Sequence, residues 1–368
     1  MSDWRAELAG FARELGSHAR RVARAVDAAA DRERYHIVGY RSYASRWRAL
    51  VLGRVLEHDG VTAADASHSG WRNLVNVVRR LESDPLPHAT VRVRVGESEV
   101  MTTADDEGFF RQWVKLDTPA DEAAWHRVSL DVLDGDSASI ARGEAHVLVP
   151  PVHAAFGVIS DMDDTVLQSE VTSMLRAARL MLLENSKTRL PFPGVAAFYR
   201  ALETGGGCPP NPIFYVSSSP WNLYDVIADF LDAHQIPAGP LLLRDWDLTT
   251  GLVRHAPHKT TVIREIFDAY PWMRFILIGD SGHEDPEIYA SLAREYPGRV
   301  LAIYIRDVTQ SAARSAAIAT LAGRAGEGDP ELVLVPDTLA AARHAVAHGW
   351  VHAERLPEIG DAKRSDLG

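Results

Sequence analysis

Residues 156–165 read F-G-V-I-S-D-M-D-D-T, an apolar, β-leaning run from Phe156 to Ile159 that ends in the carboxylates Asp161, Asp163 and Asp164. Helix-forming sequence follows. Such a run reads as a buried parallel strand that delivers acids to the edge of a sheet. Ligands of open α/β sheets bind just beyond the carboxyl ends of the strands, so two aspartates two residues apart can serve one site. In phosphoryl transfer, Asp161 would attack phosphorus and form an aspartyl-phosphate. Asp163 would protonate the leaving oxygen and then deprotonate the attacking water. Alone, the D-x-D-x-T pattern of Asp161, Asp163 and Thr165 is weak, and a solvated turn after a strand explains it as well.

Three further stretches change the balance. Residues 212–217 (P-I-F-Y-V-S) form another apolar run ending in a hydroxyl, followed by Ser218, Ser219 and Pro220. His258 and Lys259 open an amphipathic stretch with Val262, Ile263, Ile266 and Phe267 at helical spacing. Residues 274–285 (R-F-I-L-I-G-D-S-G-H-E-D) form a third apolar strand that ends in Asp280, with Asp285 five residues on. The hydroxyl and backbone N–H groups at Ser217 and Ser218 suit phosphate oxygens, and Lys259 adds a fixed positive charge. Asp280 completes an oxygen-rich site for Mg²⁺, which prefers carboxylates and water. Each group ends a strand or opens a helix, which is the context such a site requires.

Motif by motif, residues 155–307 resemble the haloacid-dehalogenase-like phosphohydrolase superfamily. Longer strings narrow the resemblance: Y-V-S-S-S-P-W-N-L-Y (215–224), G-P-L-L-L-R-D-W (239–246), H-K (258–259), G-D-S-G-H-E-D-P-E-I-Y (279–289) and I-Y-I-R-D-V (303–308). They are similar to the catalytic domain of the actin-patch-protein type phosphatidate phosphatases, Mg²⁺-dependent enzymes that convert phosphatidate to diacylglycerol and phosphate. The resemblance implies that Asp161 is nucleophile and metal ligand. It makes Asp163 the general acid/base, with its backbone carbonyl on the metal. It gives Ser217 and Lys259 the phosphoryl group, Asp280 the metal, and Asp285 the orientation of that shell. The superfamily motifs are specific for chemistry, whereas the lipid substrate is inherited by resemblance alone.

A length of 368 residues suggests two domains and leaves ample sequence for a large core. Hydrophobic residues make up 46% of the chain, and no apolar run is long enough to span a bilayer. The opening M-S-D-W-R-A-E-L carries charges where a signal peptide needs an apolar core, so a cytoplasmic protein is expected. The single cysteine, Cys208, excludes an internal disulfide and agrees with a reducing compartment. A net charge of −11 argues against general nucleic-acid binding and against attraction of the whole protein to anionic membranes. Any peripheral membrane contact must then be local.

Residues 1–47 read as an N-terminal amphipathic helix and connector. Trp4, Leu8, Phe11, Leu15, Val22 and Val26 make its apolar face, and Arg5, Arg13, Arg20, Arg21 and Arg24 its basic one. Such a helix either caps a neighbouring domain or lies on a membrane surface. A shorter stripe of Trp71, Leu74, Val75, Val78 and Leu81 reads as core packing. Residues 48–150 shift to a period of two and predict a small antiparallel β-sandwich domain. There Val91, Val93 and Val95 alternate with Arg92 and Arg94, and Val128, Leu130 and Val132 repeat the pattern. Residues 105–108 (D-D-E-G) read as a solvated hairpin turn. Pro150 and Pro151 mark the boundary.

From residue 151 to 356 strands and helices alternate, with later strands near 299–305 and 331–335. The expected fold is α/β: a Rossmann-like parallel sheet with helices on both faces, haloacid-dehalogenase-like by the resemblance. Residues 357–368 read as a disordered polar tail. Between the first two motifs, Val171, Met174, Leu175, Ala178, Met181 and Leu182 share one helical face, which Leu180 and Leu183 widen. Four basic residues (Arg176, Arg179, Lys187, Arg189) face two acidic ones (Glu170, Glu184) across 169–190, so this stretch is basic within an acidic protein. Two readings stand: a lid (Val171, Met174, Leu175, Leu182) whose apolar face meets acyl chains, and an ordinary helix packed on the body.

The sequence therefore leads to a Mg²⁺-dependent phosphomonoesterase with phosphatidate as its expected substrate. A phosphatase for a soluble phosphomonoester or phosphoprotein keeps the chemistry and changes the substrate. A silent membrane- or partner-binding module is the alternative of another class, and the presence of every motif residue argues against it.

Overall fold

A computed structural model of the chain describes residues 35–57, 85–120, 124–162, 192–244 (except 206 and 208), 255–309, 311–323, 326 and 328–367. The amphipathic helix expected through Trp4 to Val26, the stripe at 71–81, Asp163, Thr165 and the lid residues Val171, Met174, Leu175 and Leu182 lie outside them. The chain divides into two units. The first includes residues 47–119 and 125–147, and the second residues 148–368.

Alternating apolar side chains build the first unit. Its strands are β1 (Tyr35–Gly39), β2 (Arg41–Ser45), β3 (Arg48–Glu57), β4 (Thr90–Val95), β5 (Ser98–Thr103), β6 (Phe109–Lys115), β7 (Ala124–Leu133) and β8 (Ser139–Val149). Val91, Val93 and Val95 are buried on one face of β4, as the period of two predicts. β4 pairs antiparallel with β5 and β7, and β3 with β1 and β6. Asp131, buried within β7, is offset by Arg94 at 2.6 Å, Arg142 at 3.1 Å and the Ser139 hydroxyl at 3.0 Å.

The turn at Asp105 forms as expected, with Asp105 Oδ1 accepting from the N–H groups of Glu107 (2.9 Å) and Phe109 (2.8 Å). It does not close a hairpin. β5 pairs with β4 and β6 with β3, so local turn chemistry shows where the chain turns and not which strand comes next.

The second unit alternates as its sequence predicts. Its elements are β9 (Gly157–Asp161), α1 (Val195–Thr204), β10 (Ile213–Pro220), α2 (Tyr224–Ala233), β11 (Leu241–Arg244), α3 (His255–Ala269), β12 (Phe275–Asp280), α4 (Asp285–Glu295), β13 (Val300–Arg306), α5 (Ala312–Ala322), β14 (Glu331–Val335), α6 (Thr338–Ala347) and α7 (Leu356–Leu367). The strands form a parallel sheet in the order β11-β10-β9-β12-β13-β14. β9 and β12 are buried at every residue, the signature of a sheet covered on both sides.

Consecutive residues of β10 meet different helices. Phe214 packs on Tyr270, just beyond α3, at 5.6 Å between ring centroids, whereas Tyr215 stacks on Tyr199 of α1 at 6.4 Å. Phe275 packs against Phe267 of α3, and Tyr304 against Phe198 of α1. Helices thus cover both faces of the sheet.

The disordered tail expected at 357–368 is corrected: residues 356–367 form helix α7. Its polar composition hid a single anchor, Ile359, which is fully buried. Polar ties complete the docking. Asp366 accepts from the Gly194 N–H at the start of α1 (2.8 Å), and Lys363 pairs with Asp337, the N-cap of α6, at 2.6 Å.

Candidate active site

The strand order reverses between β9 and β12. From β9 the chain steps to β10 and β11 on one side, then crosses back to β12, β13 and β14 on the other. Crevices at such switch points, beyond the carboxyl ends of the strands, are where α/β sheets bind ligands. Asp161 is the last residue of β9 and Asp280 the last of β12, so the two carboxylates flank the switch. Val216 of β10 stands level with Asp161, which brings Ser217 to the same edge. Sequence proximity placed none of these together; strand register does.

A second layer comes from helices. Lys259, in the second turn of α3, reaches Asp161 Oδ1 at 2.8 Å and Asp285 Oδ1 at 2.5 Å. Asp285 is the first residue of α4, and its other oxygen accepts the Asp280 backbone N–H at 3.3 Å. Asp161, Asp280 and Asp285 are fully buried, and Lys259 is only 4% exposed. Burial alone would push the Lys259 ammonium towards neutrality, but the two carboxylates outweigh it and hold the charge. Burial holds the Asp285 carboxyl above its ordinary range, against the pull of Lys259.

Gly279 makes the close approach of Asp285 feasible. A β-carbon there would lie 2.5 Å from Asp285 Oδ2, closer than a carbon tolerates. The glycine in G-D-S-G-H-E-D is therefore a space requirement of the neighbouring carboxylate.

After β12 the chain turns over the Asp280 carboxylate. Oδ1 accepts from the N–H groups of Gly282 (2.6 Å) and His283 (3.0 Å), and the His283 ring nitrogen Nδ1 lies 3.0 Å from Oδ2. The hydrogen bond with Asp280 raises the imidazole to about 8. Burial pushes Asp280 upward, yet the His283 bond and charge outweigh it and leave the carboxyl below its usual range. Arg314 of α5 pins this turn by donating to the carbonyls of Ser281 (2.8 Å) and His283 (2.6 Å) while pairing with Glu287.

On β10, Ser217 is buried and its hydroxyl oxygen accepts the Ser219 N–H at 2.9 Å, while Ser218 is half-buried. Ser217 lies within β10, one residue past the position level with Asp161, where its hydroxyl can meet a phosphate oxygen. Ser160 ties β9 to α1 through a 2.6 Å contact with the Tyr199 hydroxyl.

Donor atoms of Asp161, Asp280 and His283 all lie within 4.8 Å of one another. Three fully buried carboxylates here outnumber their cationic partners, the Lys259 ammonium and the His283 imidazole, so the local charge still favours an added cation. The carboxylates suit Mg²⁺, which prefers oxygen donors. The His283 nitrogen suits that ion less, and its place is on the Asp280 carboxylate.

Of the residues singled out from the sequence, Asp161, Ser217, Ser218, Lys259, Asp280 and Asp285 stand at this edge or at the helices behind it. Asp163, Thr165 and the lid lie outside the described residues. Two participants were missed. His283 was quoted within its motif without a role, although a histidine three residues after a strand-end aspartate was the available signal. Arg314 had none, since it lies 33 residues from Ser281 in sequence.

Residues 156–307 match the family model described as phosphatidate phosphatase APP1, catalytic domain, which bears out the resemblance for that segment. Phosphatidate phosphatase APP1 of Saccharomyces cerevisiae is 32% identical over 158 residues, covering 42% of this chain and 26% of the yeast protein. An uncharacterized Schizosaccharomyces pombe protein is 29% identical over 158 residues, covering 41% and 25% respectively. The chain thus spans about a quarter of the length of the curated relatives it matches. Among solved structures, a carbohydrate acetylesterase from Xanthomonas citri aligns at 10% identity, over 71% of this chain and 66% of its own, with a TM-score of 0.25. That likeness is too slight to bear on the fold.

Proposed function

We propose that this chain is a Mg²⁺-dependent phosphoric monoester hydrolase that converts phosphatidate to diacylglycerol and phosphate through an aspartyl-phosphate. The observation that carries the reading is the buried Asp161–Lys259–Asp285 array beside Asp280 at the switch point. The match of residues 156–307 to the phosphatidate phosphatase model supports the substrate class. The parallel sheet with helices on both faces supports a haloacid-dehalogenase-like architecture, with the antiparallel strands before it as a β-sandwich. We place the protein in the cytoplasm, with local contact at a membrane surface where its substrate resides.

In this reading a carboxylate oxygen of Asp161 attacks phosphorus, and the bond from phosphorus to the lipid oxygen breaks. Asp163 gives that oxygen its proton, then takes one from the water that hydrolyses the acyl phosphate. Lys259 holds the Asp161 carboxylate in line and meets the phosphoryl oxygens, which Ser217 and Ser218 also contact. Asp161, Asp280 and the Asp163 carbonyl would hold Mg²⁺, and Asp285 keeps Lys259 and the Asp280 backbone in place. When bound, the ion supplies charge neutralisation for the phosphoryl group. In the same reading Thr165 belongs to the catalytic set and the segment 170–183 serves as a lid over the acyl chains.

Phosphate release from phosphatidate in mixed micelles, compared with a panel of soluble monoesters in Mg²⁺, tests the reading. Preference for the lipid is expected. Turnover of soluble esters or phosphoprotein alone would keep the chemistry and discard the substrate, and no turnover of any monoester would leave a binding module.

A further inference from the structure

At the opposite end of the same sheet, Glu331, His344 and His348 converge. Glu331 opens β14, the edge strand, level with Ala302 of β13, so it lies at the amino-terminal edge of the sheet, away from Asp161 and Asp280. His344 sits in the last turn of α6 and His348 caps it, four residues on, which sets both rings on one side of the helix. His344 Nε2 is 3.0 Å from Glu331 Oε2, and His348 Nε2 is 3.9 Å from the same oxygen. All three donor atoms lie within 4.8 Å of one another. Bonds of about 2.0–2.1 Å around one tetrahedral ion separate its donors by roughly 3.4 Å, so a small closure of this triangle completes three ligands.

The rings are oriented as ligands are. His348 Nδ1 is 3.0 Å from the His344 carbonyl, which only accepts, so Nδ1–H donates there and Nε2 is the nitrogen turned towards Glu331. His344 Nδ1 meets the hydroxyl of buried Tyr304 at 2.9 Å. The Glu331 carboxylate only accepts, so His344 Nε2–H donates to it and Nδ1 accepts from the Tyr304 hydroxyl; an ion at Nε2 would move the ring proton to Nδ1, where the same hydroxyl can accept it. Partners of this kind behind ligating histidines fix their tautomer and direction. The two imidazoles stack at 4.2 Å between centroids, and Trp350 stacks on His348 at 4.6 Å.

We propose that Glu331, His344 and His348 form a second metal site, for a divalent transition ion of the Zn²⁺ class, with water as the remaining ligand. Glu331 is 61% exposed at its side chain and His348 42%, so the ion reaches the site directly from solvent. Two imidazoles and one carboxylate favour Zn²⁺ over Mg²⁺, in contrast to the carboxylate-rich crevice at the other edge. A bound ion would clip the end of α6 to the edge strand, a structural role independent of the phosphatase reading.

The test uses the full-length chain, Zn²⁺ alone as probe, and excess Mg²⁺ throughout to occupy the crevice. Zn²⁺ stoichiometry by equilibrium dialysis is measured on the parent, Asp280→Asn, Glu331→Gln and His348→Ala. One equivalent should bind to the parent and to Asp280→Asn and be lost from the other two. Tyr304→Phe should weaken binding about 10–100-fold. Co²⁺ added to the parent should give the intense visible bands of a four-coordinate ion, a readout that needs no variant. Unchanged stoichiometry in Glu331→Gln and His348→Ala, or Co²⁺ bands of six-coordinate type only, would overturn the site.

Discussion

Lys259 Nζ stands 2.5 Å from Asp285 Oδ1, a contact between two helices whose partners are 26 residues apart and separated by strand β12. The same ammonium is 2.8 Å from Asp161, so one buried cation holds two buried anions. Lys259→Met keeps the length of the side chain and removes the charge. Breaking a buried pair of this kind costs about 3–5 kcal/mol because the remaining charges stay desolvated. Denaturant melts at neutral pH should show that loss. It should shrink as pH falls through the acid range: burial raises the Asp285 carboxyl in the folded state, so the gain from protonation builds as pH falls through that raised value and is complete below the ordinary value of about 3.9. An unchanged midpoint at neutral pH would mean the array carries no such load.

Asp161→Asn should abolish turnover and phosphoenzyme together. On the proposed mechanism Asp163→Asn keeps the nucleophile and loses the proton shuttle, so turnover should slow by roughly 10²–10⁴-fold. Trapping the phosphoenzyme with an activated ester separates the two variants. Near-normal activity in Asp161→Asn would remove the mechanism.

Chelation should silence the enzyme and Mg²⁺ should restore it, with Ca²⁺ a poor substitute. Ca²⁺ accepts more ligands in looser geometry and would misplace the nucleophile. Asp280→Ala should raise the Mg²⁺ concentration for half-maximal activity sharply, read from titrations of activity. Full activity in chelator would end the assignment.

Gly279→Ala adds a carbon 2.5 Å from Asp285 Oδ2. Overpacking of this kind costs about 1–3 kcal/mol. The displaced carboxylate should release Lys259 and the Asp280 backbone, so activity should fall further than stability explains. Wild-type kcat in a variant with a lowered Tm would show that Asp285 is free to move without consequence.

Replacing Met174, Leu175 and Leu182 by Ser distinguishes the lid from a packed helix. A lid predicts selective loss of phosphatidate hydrolysis at unchanged Tm, since each such side chain contributes roughly 1.5–3 kcal/mol when buried against lipid. A packed helix predicts that hydrolysis of lipid and soluble esters falls in parallel with Tm.

The alternation of strands and helices after residue 151 was legible because its signals are local. Apolar runs of strand length at 156–159, 212–217 and 274–280, each followed by or ending in polar residues, predicted strands within three residues of the bounds Gly157–Asp161, Ile213–Pro220 and Phe275–Asp280. The tail at 357–368 misled for the opposite reason: helix α7 is held by Ile359 and by Asp366 on Gly194, contacts that polar composition does not announce.

Sequence by itself determined which groups are available: strand-end aspartates, a serine after an apolar run, a helical lysine and a glycine-aspartate turn. Those are chemical identities and short-range periodicities, which residue order carries directly. Tertiary structure alone decided that β9 and β12 lie side by side, that Lys259 bridges Asp161 and Asp285, and that His283 leans on Asp280. It also decided that Glu331 meets His344 and His348, 13 and 17 residues further along the chain. Pairings of this kind depend on strand order and helix docking, which are set by burial over the whole sheet and leave no mark in any single window of sequence.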